Sequence, residues 1–196
     1  MTTVAEVESH PFEPFLPEGA SVLFLGSFPP QPKRWCMEFY YPNWLNDFWR
    51  VCGLVFYGDR DHFVVAGEKR FDLSRIRAFC TEKGIALFDT ATAVRRLKDN
   101  ASDKFLEVVK PTDVAALLER IPSCTAVVTT GQKATDVLTE RYGCVAPAVG
   151  DSVEIRIDGR VLRFFRMPST SRAYPLSLEK KAAAYRGLFT AIGLLE

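Results

Sequence analysis

Three short stretches place polar or stiff backbone groups where an apolar run stops. Gly26-Ser27-Phe28-Pro29-Pro30 follows "VLFL", Asp89-Thr90 follows "IALF", and Met167-Pro168-Ser169-Thr170-Ser171 follows "VLRFFR". In open α/β sheets, ligands bind at the carboxyl ends of strands, so these stretches predict one site if their strands are neighbours. Pro29 and Pro30 stiffen the first exit and have no N–H to satisfy. None of the stretches contains GxGxxG or GxxxxGK[ST], which disfavours the usual phosphate cradles. No GxSxG elbow occurs, and His10 and His62 lie in no triad context. Gly131-Gln132-Lys133 opens a predicted helix, where backbone N–H groups can receive a phosphate. Lys33, Arg34, Arg95, Arg96 and Lys98 are further candidate phosphate contacts.

The elements that must position these groups follow from periodicity. Val22–Leu25 and Ile85–Phe88 read as buried strands, continuous apolar runs closed by turn or polar residues. "YPNWLNDFWRVCGL" predicts a helix started by Pro42 and Asn43, with Trp44, Phe48 and Val51 at helical spacing and Gly53 near its end. "FDLSRIRAFCTEKG" predicts a second, capped by Asp72 and stopped by Gly84. "PTDVAALLERI" predicts a third, capped by Thr112, with Val114, Leu117, Leu118 and Ile121 inward. "TAVVTTGQKATDVL" is strand, glycine turn, helix. "SVEIRIDGRVLRFF" turns on Asp158-Gly159, a strong hairpin signal. The closing segment carries Leu178, Ala182, Tyr185, Leu188, Phe189 and Ile192 on one helical face. Alternating strands and helices predict an α/β fold, three layers α/β/α around a short, mainly parallel central sheet. Residues 1–20, rich in Pro and Glu, predict a surface arm, and residues 21–196 a single domain.

With 196 residues, 47% of them hydrophobic, the chain can bury one sizeable core. A net charge of +1 announces neither nucleic acid nor membrane, so any DNA contact rests on a local patch. No apolar run approaches the ~20 residues of a membrane span. The N-terminus lacks the pattern of a signal peptide, so a cytoplasmic location is expected. Five scattered cysteines and two histidines predict free thiols and no metal site, and no cofactor is implied.

Together, "LGSFPP", "YYPNWLNDFW", "GIALFDTATAVRR" and "MPSTSRAYP" ahead of "LSLEKKAAAYRGLF" resemble the uracil-DNA glycosylase superfamily, closest to its mismatch-specific and hypoxanthine-DNA (deoxyinosine) branches. The resemblance runs from about Val22 to Leu188. It implies a monomeric DNA-repair enzyme that flips a deaminated base, hypoxanthine or uracil, from damaged DNA and hydrolyses its N-glycosidic bond. Flipping costs a few kcal/mol, least for a damaged or mispaired base. The resemblance puts Asn46 at the catalytic place of the hypoxanthine branch, with Ser27 and Asp89 as further catalytic positions. Gly26, Phe28, Pro29, Tyr41, Asp89 and Ser169 would surround the base. Thr170, Ser171, Arg172 and Tyr174 would form the loop that enters the duplex, with Gly131, Gln132 and Lys133 on its phosphates.

The chain departs from the uracil-excising pattern at three places. Phe28 stands where many relatives carry Asn or Asp, Ser27 where another branch carries Glu, and Met167 and Ser169 where relatives carry His or Asn. A catalytically weak or inactive module that binds DNA or a free base is therefore the alternative. A hydrolase of free nucleosides is a third reading.

Overall fold

A computed structural model describes residues 5–98 and 102–196. The first four residues of the expected arm lie outside the described residues. In chain order the elements are β1 (Val7–Ser9), β2 (Val22–Gly26), α1 (Phe48–Tyr57), α2 (Leu73–Lys83), β3 (Ile85–Asp89), β4 (Ala91–Arg96) and β5 (Leu106–Pro111). There follow α3 (Val114–Arg120), β6 (Ala126–Thr130), α4 (Gln132–Tyr142), β7 (Ser152–Ile157), β8 (Arg160–Met167) and α5 (Leu178–Ala191).

The central sheet has the order β3-β2-β6-β8-β7, parallel except for β7, and helices flank it. β2, β3 and β6 are buried along their whole length. Such unbroken apolar runs are what strands covered on both faces require. The register sets Gly26 opposite Asp89, Leu25 opposite Thr129, and Thr130 opposite Met167. The strand exits singled out in the sequence therefore meet along one sheet edge.

α1 and α5 pack over β2 through aromatic side chains. Phe24 meets Phe48 and Phe189 at ring-centroid distances of 5.5 and 5.9 Å, and Phe56 meets Phe189 at 4.8 Å. Offset and edge-on pairs of this kind add to the burial they accompany. The predicted stripe of α5 is buried at Ala182, Tyr185, Leu188 and Phe189, but it also contains Lys181, 1% exposed. The hairpin turns on Asp158 and Gly159, both at positive φ, as expected.

Three expectations are corrected. The first helix starts at Phe48 rather than at Pro42-Asn43, because Asn46 Oδ1 accepts the Phe48 N–H and holds residues 43–46 as a turn. Gly53 lies inside that helix, where a Cβ would stand 2.4 Å from the Asp59 carbonyl oxygen. α3 is capped by Asp113, which accepts the Ala116 N–H, whereas the Thr112 hydroxyl donates to the Asp89 carbonyl at 2.6 Å. Asp72 and Gly84 cap α2 as predicted.

A second, antiparallel sheet, β1-β4-β5, has no counterpart in the sequence reading. The chain leaves the central sheet at Asp89 and enters this one at Ala91, and Phe28, Ala91, Val94 and Leu106 fill its small core. The N-terminal segment is built into both sheets. β1 pairs with β4, and Phe15 exchanges backbone hydrogen bonds with Leu87 at 3.0 and 2.9 Å. The Arg96 guanidinium bonds both Glu8 carboxylate oxygens and the Pro29 carbonyl, each at 3.1 Å. No helix among the described residues is long and apolar enough to cross a membrane.

Candidate active site

Gly26 and Asp89 lie side by side at the ends of β2 and β3. A Cβ on Gly26 would stand 2.4 Å from Asp89 Oδ1 and 3.8 Å from the Tyr41 hydroxyl, so both groups converge over the glycine backbone. Tyr41 is held there with a φ of 52°, a left-handed conformation that costs a non-glycine residue of order 1–3 kcal/mol. Its ring stacks on Phe48 at 3.9 Å with planes 11° apart, and its hydroxyl shares a 2.9 Å hydrogen bond with Thr130 Oγ1. Burial, with the Asp89 charge adding to it, holds the phenol far above its usual range, so it stays a donor.

Asp89 is 7% exposed and has a partner that the sequence reading left unassigned. His10 Nε2 donates to Asp89 Oδ2 at 2.8 Å. The imidazole is itself enclosed by Phe88, Phe28, Phe12 and Tyr40, with ring centroids 4.6, 5.3, 6.0 and 6.2 Å away. Phe12 frames Nδ1, with its N–H at 3.1 Å and its carbonyl at 2.9 Å. The Asp89 backbone is fixed separately, through Thr112.

Ser27 and Pro29 lie beside this cluster, on the side of the second sheet. The Ser27 hydroxyl donates to Asp103 Oδ2 at 2.7 Å. Burial pushes the Asp103 carboxyl above the usual carboxylate range; the Ser27 bond opposes this, the Asp89 charge adds to it, and Arg96 and Lys133 partly offset it. A carboxylate thus stands against the very residue at which the motif lacks one. Of the residues expected around the base, Phe28 has its ring buried in the small core and edge-on to His10, which leaves only its backbone to face a base.

Asn46 occupies a turn ahead of α1 rather than a place within the predicted helix. Its Oδ1 is taken by the Phe48 N–H, its N–H donates to the Asn43 carbonyl, and its backbone bridges to Ser171. The next residue ties the turn to the last strand exit. The Asp47 N–H donates to the Thr170 carbonyl at 2.8 Å, Asp47 Oδ1 accepts from Arg172 Nε at 3.0 Å, and Oδ2 accepts from Lys181 Nζ at 3.1 Å. Lys181 Nζ also donates to the Ser171 carbonyl at 2.8 Å. Arg172 is thereby anchored by a buried carboxylate. Tyr174 closes the same turn, its N–H on the Ser171 carbonyl.

Ser169 packs beside Gly131, whose missing Cβ would lie 3.5 Å from it. The Gly131 N–H donates to the Met167 carbonyl, so it is not an open phosphate donor as expected. The Gln132 side chain is bonded to Asp136 and Arg166. Arg95 and Arg96 are paired with Glu107 and Glu8, and Arg96, 6% exposed, is withdrawn from solvent whereas Arg95 is not.

Gly26, Tyr41, Asp89 and Thr130 thus form one cluster, with Ser27 and Asp103 beside it. Asn46, Thr170, Ser171 and Arg172 form a second, joined to the first because Phe48 carries Tyr41. The sequence reading missed His10, Asp47, Asp103, Thr130 and Lys181. Gly26→Ala tests the close approach: the new methyl must push the Asp89 carboxylate from the place where His10 holds it. We expect activity to fall about 100-fold, the effect of an ångström-scale misplacement, with roughly 1–3 kcal/mol lost in denaturant unfolding.

No family model matches the chain, and no curated protein matches its sequence. The chain is similar to the solution NMR structure of a protein from Methanosarcina acetivorans that carries the provisional name uracil DNA glycosylase. The two superpose with a TM-score of 0.64 at 20% sequence identity, over 96% of this chain and 99% of that one. At that identity the likeness is one of fold.

Proposed function

We propose that this chain is a DNA glycosylase that hydrolyses the N-glycosidic bond of a deaminated base, hypoxanthine ahead of uracil. The observation that carries the reading is the pairing of an acceptor, Asp89 Oδ1, with a donor, the Tyr41 hydroxyl, over Gly26 at the carboxyl edge of the sheet. Deamination turns an amino group and a bare ring nitrogen into a carbonyl and a ring N–H. That lactam edge is what an acceptor and a donor placed side by side can read. The fold shared with the archaeal protein supports the same reaction class, as does the resemblance of the strand-exit motifs.

The two carboxylates take different work. Asp89, bonded to His10, receives the ring N–H. Asp103 takes a proton from the attacking water through the Ser27 hydroxyl, as a base with a raised pKa is suited to do. The water oxygen bonds to C1′ as the C1′–N bond breaks, and the electron pair leaves with the base. The Tyr41 hydroxyl stabilises charge growing on the base carbonyl, a donor already in place before the reaction. Asn46 shapes the turn that seats Phe48 and Ser171, with its amide N–H groups available to substrate. Arg172 and Tyr174 would face the strand beside the vacated stack.

The test is nicking of end-labelled oligonucleotides carrying hypoxanthine, uracil or xanthine, as single strands and opposite each base, after hot alkali. Nicking at hypoxanthine, lowered about 100-fold in Asn46→Ala, is expected for loss of a positioning group. Binding without any alkali-labile product would favour the non-catalytic module instead.

A further inference from the structure

We infer that His10 makes Asp89 a discriminator between deaminated and parental bases, so that the N-terminal segment completes the base-reading site. The inference rests on the glycosylase reading and adds to it the residue that sets specificity. His10 Nε2–H occupies Asp89 Oδ2, which leaves Oδ1, turned over Gly26, as the atom that meets the base. No hydrogen bond to Oδ1 is formed among the described residues. A carboxylate that takes an N–H on one oxygen offers the other as an acceptor. It receives the ring N–H of hypoxanthine and opposes the bare ring nitrogen of adenine, whose lone pair would face it.

The placement of His10 is specific. Its backbone N–H donates to the Thr92 carbonyl at 2.8 Å, its ring lies among four aromatic side chains, and β1 anchors the preceding residues. The Asp89 charge also acts on Tyr40, Tyr41 and Asp103, each of them a neutral or acidic group that supplies no cation. Without the imidazole N–H, a buried carboxylate oxygen would be left bare. Nothing would then hold Oδ1 over Gly26, and the acceptor that separates the ring N–H of hypoxanthine from the bare nitrogen of adenine would lose its position.

His10→Phe keeps the ring packing and removes the N–H, whereas His10→Gln restores a donor at the place of Nε2. The experiment is anisotropy titration, on ice, of a short single strand carrying one hypoxanthine against the same strand carrying adenine. A single strand removes differences in flipping cost, and alkali nicking is quantified in the same samples. The wild type is expected to prefer hypoxanthine by about tenfold, the scale of one hydrogen bond to a charged group. His10→Phe should bring the two strands to near parity, and His10→Gln should recover the preference. A preference unchanged in His10→Phe overturns the inference whether or not strands are nicked. A wild type that discriminates without nicking overturns the glycosylase reading and leaves the discriminator standing, and a wild type that nicks hypoxanthine without preferring it in binding overturns the discriminator and leaves the glycosylase reading standing.

Discussion

Asp103→Asn is expected to lower the single-turnover rate of base release by about 10²–10⁴-fold, the usual contribution of a general base. The same change should stabilise the fold near neutral pH. The folded protein holds the Asp103 carboxyl above its ordinary pKa, chiefly through burial. A group shifted in that direction contributes stability below its unfolded pKa and loses it as pH rises through the folded value. The ionised side chain is therefore a cost at neutral pH, and the neutral amide removes it. Thermal unfolding should show the variant more stable near pH 7 and equal to the wild type in acid. In the wild type, the rate should rise with pH through a pKa above the ordinary carboxylate range, and that limb should vanish in the variant. A variant that keeps its rate would transfer the base role elsewhere.

Asp47→Ala is expected to be the most destabilising single substitution near the site. It removes the partner of Lys181, which is 1% exposed, and releases Arg172 from the loop of residues 168–174. Breaking a buried pair from one side costs roughly 3–5 kcal/mol, because the remaining charge is left without compensation. In a chain of this size each kcal/mol moves Tm by about 2–4 °C. Lys181→Met with Asp47 intact should cost a similar amount. The double variant should cost less than the sum, since neither charge is then stranded. Additive losses in the cycle would show that the two residues act independently.

The parts of the fold legible in the sequence are those set by local chemistry. Apolar runs located β2, β3 and β6, and the residues ending them, Gly26, Asp89 and Thr130-Gly131, are the ones that meet at the edge. Asp72, Gly84 and Asp158-Gly159 each act through their own neighbours in the chain, so their roles could be read directly. The stripe of α5 was also legible, and Lys181 gave a signal there: it stands three residues after Leu178 and four before Tyr185, on the buried face, where a lysine needs a partner.

What stayed hidden depends on contacts across the chain. The separations of 79 positions from His10 to Asp89 and 76 from Ser27 to Asp103 leave no periodic trace. "ESHPFEPF" reads as a proline-broken surface arm, and "SDKF" carries no signal of its own. Asp47 reads as a helix residue because Pro42 and Asn43 resemble a start. The true start depends on Asn46 bending back to the Phe48 N–H and on Tyr41 accepting a left-handed backbone, and tertiary packing fixes both.

The most direct test is quantification of free base released from a duplex with one hypoxanthine, incubated with the wild type and with Asp103→Asn. The account predicts free hypoxanthine in a one-to-one ratio with abasic sites from the wild type, and at least about 100-fold slower release from the variant. A folded wild type that binds this duplex and its uracil counterpart yet releases no base from either would contradict it.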